Sequence, residues 1–288
     1  MASTKPLGIL VSDTVTFCKT HLAVLVTGAV VFGVLTQGVG LALVGSQAQG
    51  WKMQLEGFED RMERTNPRME ELLVKMQEGE LTEAEEQEFE VMGRQIAADA
   101  MNNMGAIGGA FRAMLPSLGL MFLITLLIGL IAKSFFLVIA VRRMKDPMKA
   151  AQATAGSLVP LIGLWLWLFL RSFLWIPFLG VIIAIIVGPR FVLSPLYLLE
   201  EHRGVLDSAT KSYHHTRGRW GKIVGNCLAV GIVTGIAAIL VTKILMGILG
   251  SVLGVFVSAI IGEFVTAIMV VFMIQLARTL MEAGPRRA

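Results

Sequence analysis

Four charged residues stand inside long apolar runs: Lys133, Arg190, Lys243 and Glu263. A charge in hydrocarbon is expensive and marks, by default, a pathway, a ligand or a partner. Lys133 precedes Arg142 by nine residues, ~13 Å along a helix, and Arg190 precedes Glu200 by ten, ~15 Å. Both therefore fall in the same half of the membrane, on different segments, with no acid there to neutralise them. That placement predicts a shared cavity for an anionic group, most simply a phospholipid headgroup or phosphate. The bland alternative has the arginine bonding to carbonyls freed by Pro189, Pro195 or a kinked neighbour. Glu263 precedes Arg278 by fifteen residues, ~22 Å, past the midplane. Its expected fate is structural pairing, with Lys243 as partner if the chain turns near Gly250–Gly254; ion or proton coupling is the sharper reading. Arg171 and Lys243 lie near the other membrane face, where long cationic side chains snorkel to the headgroups.

Catalytic signatures are absent. The chain has no HExxH, no GxSxG and no glycine-rich phosphate loop with its lysine. His202, His214 and His215 share a loop with Glu200, Glu201 and Asp207, yet adjacent helical histidines point about 100° apart. A solvated basic loop is expected there, not a metal site. Cys18 and Cys227 lack a CxxC partner and read as free structural thiols. No catalytic residue, metal or cofactor is expected, and the chain reads as non-enzymatic.

These residues need helices to carry them. Of 288 residues, 55% are hydrophobic and 16% charged, the makeup of an integral membrane protein. Crossing ~30 Å of hydrocarbon takes ~20 apolar residues in a helix. Six stretches qualify: 22–44, 117–141, 158–175, 178–199, 223–242 and a last one ending near Arg278. Ile176-Pro177 turns the third into the fourth. Fourteen of the 25 basic residues flank these spans on one side, in the N-terminal lead, the loops 142–157 and 200–222, and the C-terminal tail. The positive-inside rule makes that side cytoplasmic, with both termini inside. The first span, within 22–46, is too long for a signal-peptide core and reads as a retained anchor, although Ser46-Gln47-Ala48 passes as a cleavage site. The net charge of +4 fits this topology and anionic lipid better than nucleic acid.

Residues 47–116 hold 14 acids against seven bases and are placed outside. Trp51, Leu55, Phe58, Met62, Thr65, Met69, Leu72 and Met76 form a heptad seam. Pro67 should kink or split that helix. Glu78-Gly79-Glu80 marks a turn, and Thr82 with Glu85 starts a second helix as a capping box. The eight methionines here fill an adaptable seam more readily than a copper site. The acidic run Glu78 to Glu90 lacks an EF-hand pattern and reads as a solvated face, with a basic partner or a dimerising coiled coil as the sharper alternatives. Three short amphipathic leads precede the odd-numbered spans: Leu7–Thr20, Asp146 to Gly156, and Ser208–Thr216.

The block Pro189-Arg190-Phe191, Ser194-Pro195, Glu200-Glu201, Gly204-Val205, Asp207-Ser208-Ala209, Lys211-Ser212, Thr216-Arg217-Gly218 and Trp220 resembles the YciC-like proteins and the membrane domain found beside glycerophosphoryl diester phosphodiesterases. Ile176-Pro177-Phe178-Leu179-Gly180 is similar to that family's connection between spans three and four. The resemblance covers roughly 150–280 well and the N-terminal span loosely, and the long acidic insert departs from compact members. It implies a six-helix bundle. Nothing in the chain looks like the phosphodiesterase barrel, so that activity is not carried over.

The sequence thus predicts an all-α, polytopic protein of the cell membrane. Six transmembrane helices pair in three hairpins, with a cytoplasmic lead at 1–21, an extracytoplasmic acidic hairpin at 47–116, helices two to six within 117–280 and a tail at 281–288. The leading expectation is a membrane-organising or regulatory bundle that binds anionic lipid headgroups, a membrane-protein partner or a second copy. The alternative is a transporter or lipid-handling protein using Lys133 and Arg190, with Glu263 as coupling group. A polar cavity reaching mid-bilayer would favour transport; a sealed bundle would favour scaffolding.

Overall fold

The computed structural model describes residues 5–78, 82–173 and 187–284, and within its helices the side chains of 43–66 and of scattered later positions lie outside that description. Helices α1 (Leu7–Thr20), α2 (Leu22–Glu78), α3 (Glu83–Arg142) and α4 (Pro147–Phe173) come first. A 3-10 turn (Gly188–Phe191), then α5 (Ser194–Leu199), α6 (Val205–His215) and α7 (Trp220–Glu282) follow, with no strand among the described residues. Among the described residues five stretches are long and apolar enough to cross a membrane: Leu22–Ala42, Leu115–Arg142, Pro147–Arg171, Trp220–Gly250 and Leu253–Glu282. That is the makeup of a multi-pass membrane protein. The expected fourth span is not among them. Its first part, to residue 186, lies outside the described residues, and the remainder is broken rather than one straight helix.

Chain contacts divide the molecule into two units, 1–37 with 125–288, and 38–124. In the first, a core forms from Leu10 and Phe17 of α1, Leu25 and Ala29 of α2, Phe135 to Val141 of α3, Leu161 and Leu164 of α4, and Phe272 to Leu280 of α7. Glycines set the closest approaches. A Cβ on Gly33 would stand 2.8 Å from the backbone of Ile260, and one on Gly28 would meet the ring of Phe135 at 2.6 Å. Phe32 packs edge-on against Phe135 at 5.6 Å. The short lead after Asp146 is not a separate helix. Asp146 caps it as its spacing predicts, with Oδ1 accepting from Met148 N–H at 2.8 Å. The helix then runs on through Gly156 and Pro160 to Phe173. Burial of Leu161 and Leu164 outweighs the ~1 kcal/mol propensity cost of the glycine.

Helix α7 is a hairpin folded at Gly250, whose φ of 77° is readily available only to glycine. Its first limb, Trp220–Gly250, turns Leu228, Ile232, Val233 and Ile236 outward. Lipid is the solvent that suits a helix apolar all round.

The second unit contains the capping box. Glu85 Oε2 accepts from Thr82 N–H at 3.1 Å, and Thr82 Oγ1 accepts from Glu85 N–H at 3.4 Å. Lys75 of α2 donates to Glu85 at 2.6 Å, which ties the end of α2 to the start of α3; the expected turn at 78–80 falls largely on residues 79–81, outside the described residues. Neither Pro67 nor Pro116 splits its helix. Good helix formers around Pro67, among them Met69, Glu70, Glu71 and Leu72, carry the helix across the lost donor. The proposed seam is described only at its end, where Leu72 is buried and Met76 is 50% exposed.

Candidate functional site

The site grows from the break between residues 187 and 199. Pro189 and Pro195 each lack an N–H donor, and between them the chain forms a 3-10 turn and then α5. Such a break frees backbone groups that must find partners. Helix α6 supplies them. Ser212 Oγ donates to the Arg190 carbonyl at 2.7 Å and accepts from Leu193 N–H at 3.1 Å. Thr216 Oγ1 donates to the same carbonyl at 3.0 Å. Ser212 is fully buried and Thr216 nearly so.

This docking fixes Arg190. Its guanidinium lies 4.7 Å from the centre of the Tyr213 ring on α6, a cation–aromatic contact. The straight-helix depth of ~15 Å therefore does not describe it, because the path to Glu200 is broken and a residue of the 200–222 loop lies alongside. The carbonyl freed at the break is met by hydroxyls, not by an arginine. Phe191 lies edge-on to Trp167 of α4 at 5.5 Å and 6.0 Å from the Tyr213 ring. Arg171 covers that tryptophan at 5.2 Å and lies 6.0 Å from the Phe191 ring, so it is packed on aromatics.

Behind Phe191 is a cavity of about 390 Å³. Its walls are Lys133 and Leu137 of α3, Trp165 and Leu168 of α4, Phe191 and Pro195 at the break, and Val265 to Ile274 on the second limb of α7. Among the described residues Lys133 is the one charged side chain in that lining, and Arg190 does not line it. Among the described residues no ion pair within 4 Å holds Lys133. Two further lining residues, Trp165 and Thr266, carry polar groups. Thr266 donates its hydroxyl hydrogen to Gly262 carbonyl at 3.0 Å, which leaves oxygen lone pairs. The buried indole Nε1–H of Trp165 has no acceptor among the described residues. A second, apolar cavity of about 340 Å³ shares Gly188, Val192 and Met273 and is lined by Cys227.

Glu263 stands one turn before Thr266, which lines the cavity. The expected Lys243–Glu263 ion pair is absent, although the turn does lie at Gly250. Register explains this. Met246 faces Gly254, and Thr234 Oγ1 reaches Met269 Sδ at 3.7 Å. Lys243 thus faces about residue 257, roughly six residues or ~9 Å along the axis from Glu263.

On the basic side, carbonyls at helix ends are gathered by cations. Arg219 donates to Leu280, Ala283 and Gly284 carbonyls at 3.0, 3.3 and 2.6 Å. Arg278 donates to Val141 carbonyl at 2.6 Å and to Glu200 at 3.1 Å. His215 Nε2 faces Leu280 carbonyl at 3.1 Å; a carbonyl only accepts, so Nε2 carries the proton and Nδ1 accepts from Tyr197 hydroxyl at 2.9 Å. Burial lowers the His215 pKa below its usual 6.5. His214 stacks edge-on against Tyr213. Glu201, bound by Lys211 and Arg203, has its pKa lowered by them. Among the described residues no three histidines, cysteines or acids are grouped to hold a metal. Burial pushes the Cys18 thiol up to about 11, which keeps it protonated and unreactive.

Sequence reasoning missed Trp165 and Thr266, because an uncharged side chain in an apolar run carries no signal of its neighbours. Ser212 and Thr216 were visible as a spacing, but their partner, the broken backbone at 190–193, was read as a helix. Compared with known proteins, the chain matches no family model, no curated protein and no solved structure.

Proposed function

We propose that this chain is a non-enzymatic, multi-pass protein of the cell membrane that binds an anionic lipid in the Lys133 cavity, as a membrane-organising or regulatory bundle. The observation that carries the reading is a lining apolar almost throughout with one cation, Lys133. Apolar walls suit an acyl chain, and an ammonium in low dielectric draws an anion to itself. Binding here would also give Lys133 a partner, since no ion pair within 4 Å holds it among the described residues. A cavity with this lining fits a lipid better than a hydrated solute.

In this reading a fourth crossing runs through 178–199, as the YciC-like resemblance implies, with the broken segment forming its basic-side end. The loops 142–157 and 200–222 and both termini then face the cytoplasm, and 47–116 lies outside. The transporter reading draws support from two ionisable residues, Lys133 and Glu263, standing within apolar candidate spans.

The test is native mass spectrometry of the gently purified full chain. Wild type is expected to retain an anionic lipid, and Lys133→Gln to lose most of it while Lys243→Gln does not. Equal retention in all three proteins would overturn the reading.

A further inference from the structure

We infer that the occupant of the Lys133 cavity is a single-chain carboxylate amphiphile, a fatty acid, held by its headgroup at Lys133 with its chain along the α7 wall. The inference rests on the lipid-binding reading above and narrows it to one ligand class.

Size argues for one chain. At ~30 Å³ for a water-sized group, which a methylene resembles, about 390 Å³ holds on the order of a dozen such groups. That is one medium-length chain, whereas a diacyl lipid would leave most of itself outside. Charge argues for a monoanion. Lys133 supplies the one positive charge among the described lining residues. A doubly charged phosphate monoester would carry one negative charge more than Lys133 can balance. Hydrogen bonding argues for few acceptors. A carboxylate brings two oxygens, which Lys133 can bind with charge assistance. The ester carbonyls and phosphodiester oxygens of a phospholipid would need more donors than Lys133 and the Trp165 indole offer. Thr266 adds none, because its hydrogen is already committed to Gly262. Each acceptor buried without a donor costs about 1–3 kcal/mol. The remaining wall, Leu137, Leu168, Met269 and Met273, suits methylenes, and methionine adapts to a chain of variable shape.

The test measures binding to the full-length protein in a nonionic detergent, with sodium dodecanoate, its uncharged methyl ester and phosphatidylglycerol as separate probes. Dodecanoate is expected to bind wild type, and the methyl ester to bind far more weakly. Lys133→Gln should weaken dodecanoate roughly thirtyfold or more, as expected when one partner of a desolvated charge pair is removed. Lys133→Arg, which keeps the charge, should retain it, and retention there shows that loss in the glutamine variant is not misfolding. Equal affinity for acid and ester, or dodecanoate binding that ignores position 133, overturns the inference. If phosphatidylglycerol alone binds in a Lys133-dependent way, the carboxylate assignment fails and the broader lipid reading stands. If neither anion depends on Lys133, both fail.

Discussion

Ser212 makes two bonds to a broken backbone, and Thr216 makes one to the same carbonyl. Their removal should therefore be unequal. Ser212→Ala strands the Leu193 N–H outright and is expected to cost about 1–3 kcal/mol. Thr216→Val leaves the Arg190 carbonyl still bonded to Ser212 and should cost less, nearer ~1 kcal/mol. Thermal unfolding of the two variants in detergent checks the order, and equal losses would mean that α6 is held by apolar packing alone. At this scale the sequence was partly legible. Lys133 announced itself because a charge in hydrocarbon needs a reason. Arg190 announced itself equally but proved to be stacked on Tyr213 outside the cavity, since a run of residues does not show where a helix breaks.

Helix starts and close crossings decide the elements. The Thr82–Glu85 box was legible from spacing alone, because both partners lie within one turn. Lys75, the third partner, comes from another helix and was not. The Glu85 carboxyl is held at about 2, below its usual 4.5, first by Lys75 and then by Thr82. A depressed carboxylate stabilises fully above pH 4.5 and loses its contribution as pH falls through about 2. Local amide exchange at the start of α3, wild type relative to Glu85→Gln, should show protection that disappears over that window. A ratio constant with pH would mean that Lys75 and Thr82 do not hold the carboxylate. The α2–α7 crossing makes a second expectation. A Cβ at Gly33 meets backbone at Ile260, which cannot swing aside, so Gly33→Ala should cost about 1–3 kcal/mol of overpacking. Gly38→Ala, where a Cβ meets nothing, is the control and should be neutral or slightly stabilising by unfolding temperature. Apolar run length predicts six spans, of which five stand as candidate helices among the described residues, and the turn falls at Gly250, within the expected 250–254. Helix was legible on both sides of Pro67, but the expected kink or split there does not divide α2, nor does Pro116 divide α3.

At the scale of the whole molecule, the apolar helices and the basic loops were readable because the bilayer imposes length and charge rules on any chain that crosses it. The cavity was not readable, since it is made by residues from four separate stretches, 133–137, 165–168, 188–195 and 265–274. Its position sets up the most direct test of the account. A photoactivatable anionic lipid, reconstituted with the full chain and crosslinked in the membrane, should label peptides covering 133–137, 165–168 and 265–274, and Lys133→Gln should erase that label. Label confined to the outward face of Trp220–Gly250, unchanged by the substitution, would show lipid only as surrounding solvent and contradict a bound anionic occupant.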